Sequence, residues 1–286
     1  MLTTGIFTTQ YFEIPITKIN EPIYLIPFGD IHRSSPMCHE EKFLEFLDWA
    51  EGKKRAYFLG MGDYDDMAST SERAILTDKK LHDSSLQTLE KLYMSHTTKF
   101  AKELKFMKGK IIGLLEGNHY AEFQNGTTST QKLAEMLECR YLGVSSFIRL
   151  SFKQNGRNTP SVVDIWAHHG KGASRLIGGS LNKVQQMGEA AEADFYLMGH
   201  DHKKTVGLVT KLVLKVGKGG LKLHHKKQLY ARTGSFLKGY ENDKVSYVAD
   251  AALSPTDLGV VKIELTPRRN CKGDSDISYI DIHASI

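Results

Sequence analysis

Five segments of this sequence share one pattern, in which a short apolar stretch ends beside glycine and side chains that can bind a metal ion. These polar blocks are Asp30-Ile31-His32, Gly62-Asp63 through Asp66, Gly117-Asn118-His119, His168-His169-Gly170 and Gly199-His200-Asp201-His202. Buried strands of α/β proteins are continuous apolar runs, and ligands bind beyond their carboxyl ends. The pattern therefore predicts an α/β protein whose functional site lies where several strands end.

Apolar runs and helical spacing predict the remaining elements. Strands are predicted over residues 23–28, 56–59, 111–115, 146–152, 162–167 and 195–198, with a turn at 154–156. Helices are predicted after Ser35-Pro36, over 71–108 with a break near 82–85, and over 129–138 and 182–192. Shorter strands follow at 206–216, 221–223, 230–233, 259–265 and 277–282.

Composition limits the classes of protein to consider. Of the 286 residues, 41% are hydrophobic and 25% are charged, which is typical of a globular chain rather than a disordered one. We find no internal repeat, low-complexity tract or linker. We therefore expect a single domain, residues 1–286, with its core motifs in 23–202 and a basic, strand-rich part in 203–286.

Several features favour a cytoplasmic protein that does not associate with membranes. The longest charge-free stretch, residues 1–12, is shorter than the roughly 20 apolar residues that cross a bilayer. It also lacks the basic start and cleavage site of a signal peptide. The three cysteines, Cys38, Cys139 and Cys271, are odd in number and far apart, which favours reduced thiols.

The polar blocks contain residue types that suit a metal site. On an extended segment, side chains two residues apart point the same way, so Asp30-x-His32 and His200-x-His202 could each bind one ion. The carboxylate of Asp63 could bridge two cations, and Asn118 offers a neutral oxygen. Mixed histidine, aspartate and asparagine ligands favour Mn, Fe, Zn, Ni or Co.

Together, these blocks resemble the calcineurin-like metallophosphoesterase superfamily, which includes protein phosphatases, purple acid phosphatases, cyclic-nucleotide phosphodiesterases and recombination-repair nucleases. The matching motifs are Asp30-x-His32, Gly62-Asp63-x-x-Asp66, Gly117-Asn118-His119, His169-Gly170 and Gly199-His200-x-His202. The stretch from His169 to His200 is similar to small phage and archaeal members. The resemblance implies a four-layer αββα sandwich of two mixed β-sheets flanked by helices, with a dinuclear metal site at one edge.

The resemblance also implies a role for each residue. Two divalent cations, most simply Mn, would be held by Asp30, His32, Asp63 and His202 on one side and by Asp63, Asn118, His169 and His200 on the other. A hydroxide between the ions would attack phosphorus. His119 would protonate the leaving oxygen, and Asp66 would orient His119. Arg33 and Arg175 are candidates to contact phosphate oxygens.

Some assignments stay open at this level. His168 and His169 are adjacent, and the match of Gly170 and Arg175 to the phage-like pattern favours His169. Tyr120 stands where the superfamily usually has Glu or Asp, which weakens assignment to any one subfamily. Arg33 and Arg175 could equally be surface arginines. Cys38, although close to the first block, is more simply a bystander thiol than a nucleophile.

A run of lysines follows the last block. Eight lysines and no acidic residue lie between Lys203 and Lys227. Such a run is typical of a solvated strand edge, but it could also form a track for a phosphate backbone. We expect a metal-dependent phosphoester hydrolase, with DNA, RNA or a nucleotide as the favoured substrate. The alternatives are a phosphomonoesterase and a catalytically silent binding scaffold, and the oligomeric state is left open.

Overall fold

The computed structural model describes residues 7–78, 82–154, 161–217, 220–269 and 279–286, which form twelve strands and six α-helices. The strands are β1 (Thr8–Ile16), β2 (Ile23–Phe28), β3 (Ala56–Gly60), β4 (Ile111–Leu114), β5 (Ser145–Gln154), β6 (Ser161–His168), β7 (Phe195–Met198), β8 (Lys204–Gly217), β9 (Gly220–Ser235), β10 (Gly259–Val260), β11 (Lys262–Arg268) and β12 (Tyr279–Ser285). The helices are α1 (Glu40–Glu51), α2 (Thr70–Asp78), α3 (Asp83–Glu103), α4 (Ser129–Met136), α5 (Ile177–Ala190) and α6 (Tyr247–Asp250), and a 3-10 helix (Lys105–Met107) follows α3. Cys271, Lys218 and the predicted turn at 155–156 lie outside the described residues.

The strands form two mixed sheets, so the predicted α/β class is confirmed. One sheet has the order β12-β11-β2-β3-β4, in which β2, β3 and β4 are parallel and β11 is antiparallel to β2 and β12. The other has the order β1-β5-β6-β7-β9-β10, with β8 paired to β9. In it β6, β7 and β9 are parallel, whereas β5 and β6 are antiparallel.

Three apolar clusters hold the elements together. The largest contains side chains from both sheets, including Leu25 of β2 and Leu197 of β7. Because successive side chains of a strand alternate, β2 also contributes Phe28 to a second cluster, which it shares with α1, α3 and α4. A third cluster joins α5 to β7 and β9, where the rings of Tyr196 and Tyr230 stack 4.8 Å apart.

Within the described ranges, no helix combines the length and apolar character that crossing a bilayer requires.

Several predicted boundaries are wrong for identifiable reasons. The helix expected after Ser35 begins instead at Glu40, because residues 35–38 form a turn and the His39 side chain accepts the amide of Lys42 as the helix cap. The strands predicted at 221–223 and 230–233 are parts of one strand, β9, which pairs with β8 from Gly220 to Thr233. Strand β1, missed by the sequence reasoning, pairs in parallel with β5.

The described cysteines are unpaired. Cys38 is buried and Cys139 is partly buried, and both are free thiols. Burial raises the pKa of Cys38 to about 11 and that of Cys139 to about 12. Neither thiol is therefore ionised near neutral pH, and Cys38 has the character of a packing residue rather than a nucleophile.

Candidate metal centre

The loops that carry the predicted ligands all follow strands whose ends meet. Asp30, Asp63 and Asn118 come just after the parallel strands β2, β3 and β4, while His169 and His200 come after β6 and β7. The described residues form three groups, each with its ligand atoms within 4.8 Å of one another: Asp30, His32 and His202; Asp63, His169 and His200; and His32, Asp66 and His119. The two sheet edges thus bring residues from five separate loops into one site.

The carboxylate of Asp63 connects the groups. Its Oδ1 accepts hydrogen bonds from the backbone amides of Asn118 (2.6 Å) and His119 (2.9 Å). Its Oδ2 lies 3.3 Å from Nε2 of His169 and 3.8 Å from Nε2 of His32. One oxygen therefore fixes the loop after β4, while the other faces histidines of two different groups.

Asn118, His169 and His200 lie close together beside Asp63. Nε2 of His169 lies 3.0 Å from Oδ1 of Asn118, and Nδ1 of His200 lies 2.8 Å from the same oxygen. The other ring nitrogen of His169, Nδ1, donates to the carbonyl oxygen of Met61 at 2.8 Å. Because a carbonyl can only accept, Nδ1 carries a proton, and Nε2 is the nitrogen that could bind a cation.

The structure separates the two adjacent histidines at the end of β6. His169 is buried and joins Asp63 and His200, as the phage-like pattern favoured. His168 belongs to none of the three groups, and its Nδ1 accepts the amide of Gly170 at 2.7 Å.

The group formed by Asp30, His32 and His202 contains polar atoms without a hydrogen-bond partner. Oδ2 of Asp30 accepts the amide of His200 at 2.8 Å, but its Oδ1 is buried and unpartnered, 3.9 Å from Nε2 of His202. Nε2 of His32 is also buried and unpartnered. Unsatisfied buried polar atoms are costly, so two of them in one pocket point to an atom that the chain itself does not supply.

Five of the predicted ligands have an unusual backbone conformation. Asp30, His32, Asp63, His200 and His202 have φ angles between +48° and +73°. The prediction that Asp-x-His lies on an extended segment is therefore wrong. These residues turn in the left-handed region, which costs energy for any residue other than glycine and occurs often at functional sites.

A neighbouring glycine allows the ligand loops to approach each other closely. A Cβ atom at Gly117 would overlap the carboxylate of Asp63. Only glycine therefore lets the loop after β4 lie against Asp63 and place Asn118 beside it.

Burial and neighbouring charges shift the pKa values of the group members. Burial raises the pKa of Asp30 to about 7, although His169 opposes the rise. Burial would lower the pKa of His169, but the charges of Asp63 and Asp30 raise it to about 9. Burial also lowers the pKa of His200 to about 4 and that of His202 to about 3. His200 and His202 are therefore neutral near pH 7, the form in which imidazole binds a metal.

These observations together fit a metal site. The pocket contains buried carboxylates, a neutral amide oxygen, neutral imidazoles and two unpartnered buried atoms. Nitrogen and oxygen ligands of this kind suit divalent cations of the first transition row. The buried histidine and aspartate groups could hold a metal ion.

His119 and Asp66 form a contact beside these groups. Nδ1 of His119 lies 2.6 Å from Oδ1 of Asp66, and the same oxygen lies 3.6 Å from Nδ1 of His32. Burial opposes ionisation of Asp66, but its hydrogen bond to His119 and the nearby ring of His32 hold its pKa well below the usual range. Asp66 is therefore an anion that accepts from His119 and sets which ring nitrogen of His119 faces outward.

The structure places the two arginines predicted to bind phosphate in different surroundings. The largely buried guanidinium of Arg33 contacts Glu103 of α3 (Nε to Oε2, 3.1 Å) and Glu40 of α1 (Nη2 to Oε1, 2.7 Å). Arg175 is exposed, and among the described residues it has neither a hydrogen bond nor an ion pair. Arg33 thus joins two helices, whereas Arg175 is available to solvent.

Arg73 of α2 was missed by the sequence reasoning, although it contacts the loop that carries Asn118 and His119. Its Nη1 donates to the carbonyl oxygens of Asn118 and Tyr120, each at 2.9 Å, and to that of Ala68. Its guanidinium lies 3.8 Å from the centre of the Tyr120 ring. Tyr120 had been noted as unusual for the superfamily, but no sequence pattern paired it with Arg73.

Arg232 of β9 holds the loop after β7 in place through hydrogen bonds to its backbone. It is fully buried and donates to the carbonyl oxygens of Gly199 (2.7 Å) and Ser180 (3.1 Å). Nε of Arg232 lies 3.6 Å from Oδ2 of Asp201, the carboxylate between His200 and His202. Asp201 therefore pairs with a buried arginine rather than with a metal group.

Comparison with known proteins adds no relative to this picture. No family model matches the sequence, and neither does any curated protein. The function is therefore inferred from the geometry of the candidate metal centre and from the motifs that meet there.

Proposed function

We propose that this chain is a metallophosphoesterase, a hydrolase that cleaves a phosphoester with two divalent cations. The observation that carries the proposal is the position of Asp63, whose Oδ1 is fixed by two backbone amides while its Oδ2 faces His169 and His32. A carboxylate with one free oxygen between two ligand groups is suited to join two ions. The resemblance of the five motifs to the calcineurin-like superfamily supports the same conclusion.

The proposed ligand sets follow from the groups. One cation would be held by Asp30, His32, Asp63 and His202, and the other by Asp63, Asn118, His169 and His200. Mn is the first candidate, and Fe, Zn, Ni or Co also suit these donors. When bound, the cations would withdraw charge from phosphate oxygens and lower the pKa of a nearby water, so that a nucleophile is available near neutral pH.

The remaining chemistry belongs to His119. Nδ1 of His119 is held by Asp66, so Nε2 is the ring nitrogen that would act on a substrate, and about a quarter of the side chain is exposed. A proton on Nε2 could be donated to the leaving oxygen as the phosphoester bond breaks. Asp66 keeps the ring in that orientation.

The architecture supports a four-layer αββα sandwich. The largest apolar cluster contains side chains of both sheets, while α1, α3 and α4 lie against one sheet and α5 against the other. In this arrangement the strand ends of both sheets share one edge, where the metal groups lie.

A phosphodiester is the favoured substrate class, with nucleic acid as its most natural source. The lysine run begins directly after His202, at the edge of the candidate metal centre. Three of its members are already bonded: Lys203 to the Ser174 carbonyl, Lys204 to Asp257 and Lys226 to Glu192 and Asp194. Lys211, Lys215 and Lys222 lie on one face of the β8–β9 ribbon, where they could contact a phosphate backbone.

The proposal is tested by comparing two chromogenic substrates in the presence of Mn. We expect hydrolysis of bis-p-nitrophenyl phosphate and binding of two Mn ions per chain, measured by calorimetry and elemental analysis. Cleavage of p-nitrophenyl phosphate alone would make the protein a phosphomonoesterase. A chain that binds less than one metal ion after reconstitution would be a scaffold instead.

Asp63→Asn is the decisive variant, because asparagine keeps the shape of the side chain but cannot join two cations. We expect it to lose hydrolysis and at least one of the two Mn ions. Asp164→Asn, which removes a carboxylate from the ion pair with Arg149, is the matched control and should behave as the parent chain. Two Mn ions retained by Asp63→Asn would contradict the proposal.

A further inference from the structure

Strands β8 and β9 extend beyond the rest of their sheet as a two-stranded ribbon. Strand β9 pairs with β7 only from Leu229 to Arg232, whereas it pairs with β8 from Gly220 to Thr233. Among the described residues, β8 is thus the only strand paired with β9 from 220 to 228. We call residues 210–217 and 220–227 the hairpin arm.

The hairpin arm has two chemically different faces, because side chains alternate along each strand. One face, here called the apolar face, carries the cross-strand pairs Leu214–Leu223 and Val216–Leu221, together with Leu212. The other carries Lys211 opposite Lys226 and Lys215 opposite Lys222. The five aliphatic side chains of the apolar face are 61–82% exposed.

The apolar face continues the inner face of the sheet. Nearer the body, Val206 and Leu229 are on the same face and pack in the cluster shared by both sheets. Farther along the ribbon, the aliphatic side chains are exposed. At this transition, a cleft of about 680 Å³ opens between the arm and β12, lined by His225 and Ile280 among others. The arm therefore presents an inner sheet face whose aliphatic side chains remain open to solvent.

We propose that a second copy of this chain covers the apolar face, with the two arms packed face to face about a twofold axis. Such an isologous contact needs a patch that is complementary to itself, and a ribbon face made of aliphatic side chains meets that requirement. Two sheet faces pack about 10 Å apart with interdigitating side chains. Leucine and valine on both sides suit this spacing.

The area is sufficient for a specific interface. A buried aliphatic side chain of this size removes on the order of 100 Å² from water. Five from each copy therefore bury about 1,000 Å² in total, the threshold for a biological interface.

The distribution of charge favours a second copy over other occupants. From Leu212 to Val216 and from Leu221 to Leu223, the apolar face bears no charged side chain, and Lys227 lies on this face only at the base of the arm, opposite Thr210. The aliphatic part of the face therefore does not suit nucleic acid. In the paired arrangement, the lysine faces point away from each other and avoid repulsion. If the apolar face were inserted into an anionic membrane, by contrast, the lysines would lie on the opposite side of the ribbon and could not contact the lipid phosphates. A membrane is therefore a poorer occupant than a second copy.

The oligomeric state of the full chain tests this proposal without reference to metal or activity. We expect sedimentation velocity to show a monomer–dimer equilibrium in the micromolar range. Leu214→Asp combined with Leu223→Asp should shift it to monomer, because a charged pair would be buried at the centre of the contact. Both positions are exposed in the single chain, so folding, monitored by circular dichroism, should not change.

Lys215→Gln combined with Lys222→Gln is the matched control, since these residues form the adjacent cross-strand pair on the opposite face. This variant should dimerise like the parent chain. A parent chain that stays monomeric throughout the micromolar range would overturn the proposal. So would a dimer that survives in the Leu214→Asp, Leu223→Asp variant. Vesicles of phosphatidylcholine and phosphatidylserine test the remaining occupant. If a monomeric chain bound these vesicles and the binding required Leu214 and Leu223, the apolar face would be assigned to lipid instead.

Discussion

Oδ1 of Asp66 lies 2.6 Å from Nδ1 of His119 and accepts its hydrogen bond, which leaves Nε2 as the ring nitrogen that could act on a substrate. If His119 donates a proton to the leaving oxygen, Asp66→Asn should slow hydrolysis by about a hundredfold. Mn stoichiometry should remain two per chain, because neither residue belongs to the proposed ligand sets. Steady-state kinetics and elemental analysis of the same samples provide the measurement.

His119→Gln is the companion variant and should slow hydrolysis at least as much. Its metal content is decisive, because His119 also lies in a group with His32 and Asp66 whose ligand atoms are within 4.8 Å of one another. Loss of Mn from His119→Gln would show that His119 is a ligand rather than a proton donor.

Arg73 should control metal affinity without touching a metal. Its guanidinium binds the carbonyls of Asn118 and Tyr120, in the same loop whose amides bond to Asp63. Arg73→Gln should therefore weaken Mn binding by about 10- to 100-fold, as is usual when a group supporting a ligand is removed. Calorimetric titration with Mn measures the effect.

Arg73→Lys should restore only part of that affinity, because lysine lacks the planar fork that binds several carbonyls and stacks on Tyr120. Arg149→Gln, which breaks a surface ion pair with Asp164, should leave Mn affinity unchanged. An Arg73→Gln variant with parental Mn affinity would remove Arg73 from the mechanism.

Many of the strands could be predicted from short stretches of sequence, because a buried strand is a continuous apolar run. Strands β2 and β7 have the predicted bounds, since Ile23–Phe28 and Phe195–Met198 are short, apolar and followed by glycine within one residue. The order of polar residues after these strands also sufficed to gather the candidate ligands. Information of this kind lies within a few neighbouring residues.

What could not be predicted depends on contacts between distant parts of the chain. Arg33 pairs with Glu103, seventy residues away, and its spacing from Asp30 gave no indication of that partner. The left-handed conformation of Asp30 and His32 is unfavourable locally and persists only because tertiary contacts hold it. The choice of His169 over His168 likewise depends on where the carbonyl of Met61 lies.

Metal binding should strengthen as pH rises. In the metal-free chain, the pKa of His169 is raised to about 9 and that of Asp30 to about 7. Both protons compete with a cation, so Mn affinity should increase by about tenfold per pH unit for each proton displaced. The proton on His169 competes throughout the range from pH 7 to 9, and the pKa of His32, raised despite burial by Asp66, Asp63 and Asp30, adds to this competition. The dependence should be steeper below pH 7, where Asp30 is protonated as well.

The proton release can be measured directly by calorimetry in buffers of different ionisation enthalpy. His39→Gln, which changes a histidine at the cap of α1, should keep the parental pH dependence. An Mn affinity that stays constant from pH 6 to about 9 would contradict the assignment of His169 and Asp30 as ligands.

Arg33 and Arg175 should respond differently to the same substitution. Arg33→Gln should lower the free energy of unfolding by about 1–3 kcal/mol, because it removes charged hydrogen bonds to Glu103 and Glu40. KM should change little. Arg175→Gln should leave stability unchanged and raise KM if Arg175 contacts a phosphate oxygen. Urea denaturation measures the stability of both variants, and steady-state kinetics measures their KM. If Arg33→Gln raised KM and kept the parental stability, Arg33 would be a substrate-binding residue rather than a structural one.

Nucleic-acid binding through the lysine face of the hairpin arm should depend strongly on salt. Each lysine that neutralises a phosphate releases condensed counterions, so replacing Lys211, Lys215 and Lys222 with glutamine should reduce the salt slope by about one unit per lysine. Fluorescence anisotropy of a labelled duplex at several salt concentrations gives this slope. The matched control replaces three exposed lysines of α3, Lys91, Lys99 and Lys102, and should leave the slope unchanged. Equal slopes for the parent chain and the hairpin variant would show that the hairpin lysines serve to solvate the strand rather than to bind a phosphate backbone.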